Sequence, residues 1–214
     1  MTSRPAGSPS AFNAGDLRVV AITDNLRDGL SGLVARARAA RRGGATMMHV
    51  RLPDDGARVL VEATRGLVEA LDIPVLVHDR LDVALAAGAR GVHLSVGGLR
   101  PTDARRLAPE GFIIGASAGS AEEARIAAGA DYLAIGPVFA AAMRGNESAI
   151  GLEGLRRLAE LVVPVPVVAL GGISERNASS VIAAGACGVA LIAALLAAAD
   201  PEGATRAIRV SIGT

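Results

Sequence analysis

The sequence predicts one α/β domain in which eight parallel strands, each followed by a helix, close into a (β/α)8 TIM barrel. The first observation is length, because 214 residues fit one such barrel, which needs about 200 residues or more. The second is the phrase AAGA at 86–89, 127–130 and 183–186, which precedes a short aliphatic run each time. The third is composition: hydrophobic residues make up 51% of the chain and aromatic residues 2%, which suits strands buried on both faces.

Eight short aliphatic runs are the predicted strands, and helical patterns fill the intervals between them. The predicted strands span 17–23, 45–51, 74–78, 91–95, 112–117, 132–138, 166–171 and 187–192. Repeated strand–helix units of about 25 residues favour parallel pairing. Eight such units close a barrel, and an open doubly wound sheet is the alternative.

Glycine and short polar residues mark where the predicted helices end and begin. The glycine of each AAGA phrase is typical of a helix C-cap that leads into the next strand, and RRGG at 41–44 is a fourth variant. Ser120 with Glu123 resembles a capping box at the start of the fifth helix, and Asp79 and Asp82 could cap the third. The apolar run 189–199 is shorter than the ~20 residues that cross a bilayer, so we expect a strand that runs into a helix.

Charge and terminal composition point to a small ligand and a cytoplasmic protein. Lys and Arg number 22 against 21 Asp and Glu, so no overall field attracts nucleic acid or a membrane surface. Residues 1–15 have no apolar run and are expected to form a flexible tail ahead of a barrel domain over 16–214. Cys187 is the one cysteine, which excludes an internal disulfide, and it is expected to be buried. The apolar outer faces of the last helices allow a homodimer.

Polar residues concentrate at the carboxyl ends of the predicted strands, where the site of a (β/α)8 barrel lies. All three histidines of the chain, His49, His78 and His93, fall there. His49 and Arg51 are two residues apart on one strand and share a face, where together they could hold and protonate an anion. An imidazole with a pKa of about 6.5 is suited to move a proton at neutral pH, and His49 and His78 are the candidates.

The residues after strands seven and eight form an expected phosphate cradle. Gly171 and Gly172 end strand seven, and a helix is expected to begin near Ile192 and Ala193 after strand eight. Backbone N–H groups at a glycine turn and at a helix N-terminus stabilise a phosphate dianion.

Several of these residues also have a purely structural interpretation. His93 could be a hydrogen-bonded core imidazole, Asp79 an N-cap, and Arg51 an ion-pair partner of Asp24 or Asp79. The three histidines come from separate strands without a short His-x-His spacing, which disfavours a zinc site.

Seven motifs follow one another in the order of a known superfamily. They are VVAITD at 19–24, GGATMMHVR at 43–51, VHDRLDVALAAGARGVHL at 77–94, IIGASAGSAEEA at 113–124, GADYLAIGPVF at 129–139, GLEGL at 151–155 and PVVALGGI at 166–173. In these motifs the chain resembles the thiamine-phosphate synthase superfamily, which includes the TenI-type thiazole tautomerases. The resemblance covers nearly the whole chain after residue 16. It implies a TIM barrel that binds a small phosphorylated thiazole or thiamine ligand in thiamine biosynthesis.

The tautomerase branch is the more similar one and supplies the first hypothesis for function. Its His-x-Arg on strand two, its missing acidic segment after strand four and its GLEG after the long loop resemble this chain. That branch moves a proton to aromatise a thiazole carboxylate phosphate without a metal. The resemblance implies His49, Arg51 and His78 as catalytic residues and no cofactor. The branch's histidine after strand five is Gly119 here.

The synthase branch is the alternative, and it joins a pyrimidine diphosphate to a thiazole phosphate with magnesium. This chain resembles it at Arg51, Asp79 and Ser117 and at the glycine cradle, with Asp79 as the magnesium ligand and Arg144 as a cation after strand six. Other positions differ from that branch: its Gln-x-Arg-x-Lys becomes His49, Arg51 and Pro53, its Asn-Asp becomes His78 and Asp79, its acidic segment becomes 95–98, and its phosphate-side serine becomes Ala193.

Two further hypotheses stay open at this point. The differences at the rim allow a barrel without catalysis that senses a ligand or regulates a partner. Sugar-phosphate epimerases share the barrel and the phosphate cradle, but they use paired aspartates with a metal, which this chain lacks after strand seven.

Overall fold

The computed structural model describes residues 12–140 and 149–213. Within them, eight parallel strands form a closed barrel in the order of the chain, and β1 pairs with β8 to close it. The strands are β1 (Val19–Ile22), β2 (Met47–Val50), β3 (Val75–His78), β4 (Gly91–Leu94), β5 (Ile113–Ala118), β6 (Tyr132–Ile135), β7 (Val167–Leu170) and β8 (Gly188–Leu191). The predicted TIM barrel is confirmed, and the open sheet is excluded.

Helices follow the strands and surround the barrel. They are α1 (Gly29–Arg42), α2 (Ala57–Ala70), α3 (Leu81–Ala87), α4 (Pro101–Leu107), α5 (Ala121–Ile126), α6 (Gly151–Leu161), α7 (Ala178–Ala183), α8 (Ala193–Leu196) and α9 (Pro201–Ser211). The apolar run 189–199 is indeed the end of β8 followed by α8. Among the described residues, no helix has the length and apolarity needed to cross a membrane.

Two apolar layers hold the fold together. The larger lies between the strands and the helices, where aliphatic residues of alternate strand positions meet the inner faces of the helices. The smaller fills the barrel interior and includes Leu17, Met47, Leu76, Ile113 and Tyr132. Strands buried on both faces read as continuous aliphatic runs, which is why the sequence marked them well.

The AAGA glycines end their helices as predicted. Gly88 is the C-cap of α3, with φ of 72°. Gly185 directly follows the C-cap of α7, and Gly129 lies one residue further beyond the C-cap of α5, with φ of 103° and 91°. A backbone in this left-handed region favours glycine, so the repeat records a repeated turn.

The predicted helix starts are only partly correct. The Ser120 hydroxyl accepts from the Glu123 amide at 3.2 Å, but the Glu123 carboxylate accepts from the Gly119 amide at 2.6 Å and so does not complete a capping box. Arg80 holds the N-cap position of α3, without a side-chain cap. Asp82 instead pairs with Arg80, and Asp79 turns toward β4, as described below.

Part of the segment predicted as a tail packs against the barrel. Asn13 caps a short 3-10 helix over Ala14–Leu17, and the ring of Phe12 lies 5.9 Å from that of Tyr132. Since Tyr132 is the first residue of β6, Phe12 covers the amino end of the barrel interior. Residues 1–11 lie outside the described residues. Cys187 is half-buried rather than buried, and its thiol donates to the Val167 carbonyl at 3.0 Å.

Candidate active site

The parallel barrel brings the predicted site residues to one end of the molecule. His49 and His78 lie in the last half of β2 and β3, and Arg51 follows β2 directly. Gly171 and Gly172 follow β7, and Ile192 and the first residue of α8, Ala193, follow β8. Because all eight strands run the same way, these segments share the carboxyl-end rim. Arg144 lies outside the described residues, so its predicted role is not addressed by the structure.

A chain of hydrogen bonds runs through the barrel interior toward this rim. The Tyr132 hydroxyl lies 2.9 Å from Nε2 of His49 and 2.9 Å from Nδ1 of His93. Nε2 of His93 lies 2.9 Å from the hydroxyl of Ser117, near the carboxyl end of β5. We call these four residues the interior chain. The interpretation of His93 as a hydrogen-bonded core imidazole is confirmed.

Close packing holds the interior chain in place. The rings of His49 and His93 stack with centroids 4.9 Å apart, and those of His93 and Tyr132 are 5.6 Å apart. Gly115 makes room for the phenol, because a Cβ there would lie 2.1 Å from Cζ of Tyr132. His49 and Tyr132 are 1% and 0% exposed. The barrel interior therefore carries a polar chain within an apolar shell.

Burial keeps the interior chain uncharged. Desolvation and, less strongly, the neighbouring His78 lower the pKa of His49 to about 3. Desolvation first, then His49 and His78, lower the pKa of His93 well below its usual value. Desolvation raises the pKa of Tyr132 well above its usual value. The expectation of an ordinary imidazole pKa at His49 is therefore wrong, because a cation there would lose its hydration.

His78, Asp79 and Ser95 form a more open cluster at the rim. The Asp79 carboxylate accepts from the Ser95 amide at 2.6 Å and from the Ser95 hydroxyl at 2.7 Å. Nε2 of His78 lies 3.3 Å from the same carboxylate, with the imidazole 23% exposed. Asp79 has φ of 57°, in the left-handed region that is uncommon for residues other than glycine. This turn directs the carboxylate across to β4, so the predicted capping role of Asp79 is wrong.

Arg51 directly follows β2, the strand that pairs with β3, and its backbone is tightly held. The Thr23 hydroxyl accepts from the Arg51 amide at 2.8 Å and donates to the Arg51 carbonyl at 2.9 Å. Among residues 12–140 and 149–213, no ion pair includes Arg51, so the predicted pairing with Asp24 or Asp79 is absent there. The Arg51 backbone is thus fixed at both its amide and its carbonyl.

The glycine turn after β7 is packed against the segment that follows β6. Gly171 and Gly172 have φ of 97° and 64°. A Cβ would lie 2.6 Å from Cβ of Pro137 at the first and 2.7 Å from Cβ of Phe139 at the second. The Phe139 amide donates to the Gly171 carbonyl at 3.1 Å. Only glycine fits both the backbone conformation and the close contact, whether or not a ligand is bound.

The rim combines cationic, hydroxyl and backbone groups with the Asp79 carboxylate. In the described part of the chain, no group of three or more His, Cys, Asp or Glu could hold a metal ion. A guanidinium, a serine hydroxyl at the end of the interior chain and a glycine turn are the groups that suit a phosphate.

Comparisons with known proteins identify the relatives of this barrel. The family model described as thiamine monophosphate synthase matches residues 19–195. The chain belongs to this family. The thiamine-phosphate synthase of Moorella thermoacetica is 44% identical over 200 residues, covering 91% of this chain and 94% of that protein. The thiamine-phosphate synthase of Methanoregula boonei is 42% identical over 205 residues, covering 92% and 94%.

Solved structures agree with the family assignment. The thiamine phosphate pyrophosphorylase of Pyrococcus furiosus superposes with a TM-score of 0.83 at 40% identity, covering 93% of this chain and 96% of that one. A 3-hexulose-6-phosphate synthase has a TM-score of 0.70 at 18% identity, covering 92% and 100%. That second likeness shows the barrel fold alone. The relatives support a thiamine-biosynthetic enzyme of the synthase family, and none of these names specifies the tautomerase branch.

Sequence reasoning missed one residue of the interior chain, Tyr132. Tyr132 connects His49 with His93, and its signal was present: it is the one tyrosine of the chain, placed at the start of a buried strand. A buried phenol needs a hydrogen-bond partner, and the inward-facing histidines were candidates. Ser95 was expected at the carboxyl end of strand four, but its contact with Asp79 had no comparable signal, because that contact depends on the turn that Asp79 makes.

Proposed function

We propose that this barrel is a thiamine-phosphate synthase, which joins a pyrimidine diphosphate to a thiazole phosphate. The observation that carries the proposal is the similarity to proteins of that name, at 44% and 42% identity over nearly the whole chain. This reverses the order of the two sequence-based hypotheses. Differences at single rim positions weigh less than agreement over about 200 residues.

The rim offers groups for both charged substrates. In this proposal the Arg51 guanidinium and the Ser117 hydroxyl bind phosphate oxygens through charge-assisted hydrogen bonds. The turn at Gly171 and Gly172 lets the backbone approach the other phosphate closely. Groups already oriented for the leaving diphosphate stabilise the charge that develops as it departs, without reorganising during the reaction.

Magnesium fits this rim through a single protein carboxylate. Magnesium usually takes one or two carboxylates together with substrate phosphates and water, and Asp79 offers one carboxylate, held in position by Ser95. Asp79 would hold the ion. Bound there, magnesium would balance charge on the diphosphate.

A second candidate function, tautomerisation of a thiazole phosphate, is favoured by one observation. His78 places a partly exposed imidazole beside the Asp79 carboxylate at the rim. Imidazoles are the usual general acids and bases at neutral pH. In this alternative His78, rather than the buried His49, moves the proton.

One set of assays separates these functions. Purified protein is incubated with pyrimidine diphosphate, thiazole phosphate and magnesium, and thiamine phosphate is measured. Synthase activity predicts product that depends on both substrates. A parallel incubation with thiazole carboxylate phosphate alone detects aromatisation. Folded protein that yields neither product while binding thiazole phosphate in calorimetry would contradict both and leave the non-catalytic hypothesis.

Matched variants link each activity to the rim. Asp79→Asn keeps the size of the side chain and removes the charge, and it should lower synthase turnover more than thiazole phosphate binding. His78→Gln should abolish tautomerisation but leave a synthase with most of its activity. If each variant lost both activities while its folding was unchanged, Asp79 and His78 would not have separate roles. That result would contradict the assignment of magnesium binding to Asp79 and of proton transfer to His78.

A further inference from the structure

The interior chain has a direction, which sets what Ser117 presents to a ligand. We propose that His49, Tyr132 and His93 are positioning residues that hold the Ser117 hydroxyl as a hydrogen-bond donor toward an anion at the rim. The proposal rests on the proposed function only for the identity of that anion.

The three hydrogen bonds of the interior chain must all run the same way. A neutral imidazole has one N–H, and a phenol has one O–H. Tyr132 lies 2.9 Å from both His49 and His93, so its hydroxyl donates to one and accepts from the other. The tautomer of His93 then decides whether Ser117 accepts from Nε2 or donates to it. Two arrangements follow. In the outward arrangement each group donates its hydrogen bond to the next group toward Ser117, and in the inward arrangement each group donates to the next group toward His49.

The inner end of the chain favours the outward direction. Nδ1 of His49 is buried and has no hydrogen-bond partner among the described residues. The inward arrangement places an N–H at this atom, whereas the outward one leaves only a lone pair there. Buried N–H groups without an acceptor are rarer than undersatisfied acceptors.

The histidines and the ligand favour the same direction. The outward arrangement gives both His49 and His93 the Nε2–H tautomer, which is the favoured tautomer of neutral histidine in water. It also leaves the Ser117 proton free to point to the rim, where a phosphate oxygen can only accept. The His93 N–H that donates to Ser117 polarises this hydroxyl further. Ser117 is thereby fixed as a donor before the ligand arrives.

The tautomers can be measured in the unmodified protein without a ligand. Two-bond ¹H–¹⁵N correlation spectra of the ¹⁵N-labelled full chain distinguish the two tautomers of a neutral imidazole, and His49→Gln assigns the signal of His49. We expect Nε2–H at both His49 and His93 at pH 7. An Nδ1–H tautomer at either residue would overturn the proposal.

A double-mutant cycle tests whether the interior chain affects ligand binding through Ser117. Tyr132→Phe keeps the ring and removes the hydroxyl, and it should weaken thiazole phosphate binding by about 5- to 10-fold in calorimetry. In a Ser117→Ala background the same change should alter the dissociation constant by less than about 2-fold. Equal effects in the two backgrounds would show that Tyr132 acts only through general packing, which contradicts the proposal.

Thr64→Val is the matched control. Thr64 is a fully buried residue whose hydroxyl donates to the Leu60 carbonyl at 2.7 Å in α2, outside the barrel interior. Its replacement removes a buried hydroxyl and should leave binding and both tautomers unchanged. If Tyr132→Phe does not fold, the tautomers of the unmodified protein still decide. Wild-type protein that fails to bind thiazole phosphate would count against the proposed function and not against the direction of the chain.

Discussion

The barrel interior and the rim place the same kinds of side chain in opposite settings. Inside, His49 and His93 are almost fully buried, stacked and hydrogen-bonded to Tyr132. At the rim, His78 is partly exposed and lies beside a carboxylate. The interior histidines stay neutral because hydration is lost, whereas the rim imidazole keeps contact with solvent and an anion. The environment of an imidazole, more than its position along a strand, decides whether it stays buried and neutral or remains open to solvent.

The largest expected loss of stability follows from a substitution in the barrel interior. Tyr132→Ala removes the phenol that fills the barrel next to Gly115, and it should lower the free energy of unfolding by about 3–5 kcal/mol. Tyr132→Phe keeps the ring and should cost about 1–2 kcal/mol. Urea unfolding followed by circular dichroism measures both. Equal losses in the two variants would mean that the hydroxyl, not the ring, holds the interior together.

The second expected effect is a pH dependence of the free energy of unfolding, which arises from the buried histidines of the barrel interior. The pKa of His49 is lowered to about 3 in the folded protein, so below its ordinary value of about 6.5 only the unfolded chain takes up this proton. Stability is therefore lost as the pH falls from 6.5 toward 3. His49 alone should cost about 2 kcal/mol between pH 7 and pH 5, and the lowered pKa of His93 acts in the same direction.

His49→Gln is the control for this dependence. The variant should show a smaller loss of unfolding free energy from pH 7 to pH 5 than the wild-type protein, by about 2 kcal/mol. Arg51→Ala, at the rim, should keep the full wild-type loss. An unchanged pH dependence in His49→Gln would show that the pKa of His49 is the same in the folded and unfolded states.

The third effect is at the glycine turn of the rim. Gly171→Ala should lower the free energy of unfolding by about 1–3 kcal/mol. The new methyl group would clash with Pro137, and the positive φ of this residue is unfavourable for alanine. Gly97 also has a positive φ, of 80°, but a Cβ there meets nothing within 4 Å. Gly97→Ala therefore isolates the backbone strain, and thermal unfolding should rank it between wild type and Gly171→Ala. Equal losses would exclude the contact with Pro137 as a cause.

The smallest effect on stability is expected at Arg51. Arg51→Ala should change the free energy of unfolding by no more than about 0.5 kcal/mol, since no ion pair among the described residues is lost. Thiazole phosphate binding should nevertheless weaken by about 10-fold or more. Arg41→Ala, which breaks an exposed pair with Asp72, is the matched control and should bind normally. Unchanged binding in Arg51→Ala would remove Arg51 from the site.

The sequence predicted the architecture because the architecture is repetitive. Each strand is an aliphatic run buried on both faces. Each AAGA glycine has a positive φ and lies at or just beyond the end of a helix. These signals are local and recur along the chain, so eight strands, their parallel order and the carboxyl-end rim followed without coordinates. Seven of the eight predicted strands were longer than the observed ones, because residues such as Leu17 pack in the core without joining the ladder.

The details of the site depend on contacts between residues far apart in the chain. His49 and Tyr132 are separated by 83 positions, and only barrel closure shows that a phenol satisfies two imidazoles. Asp79 was expected to cap a helix, but its positive φ turns the carboxylate to Ser95.

The amino-acid sequence by itself determined the barrel and the family, and it placed the candidate site residues at one end of the barrel, since periodicity, glycine positions and short motifs encode them locally. Only the tertiary structure decided which histidine is buried and which is open. Solvation and hydrogen-bond partners are properties of the folded arrangement, and no stretch of sequence contains them.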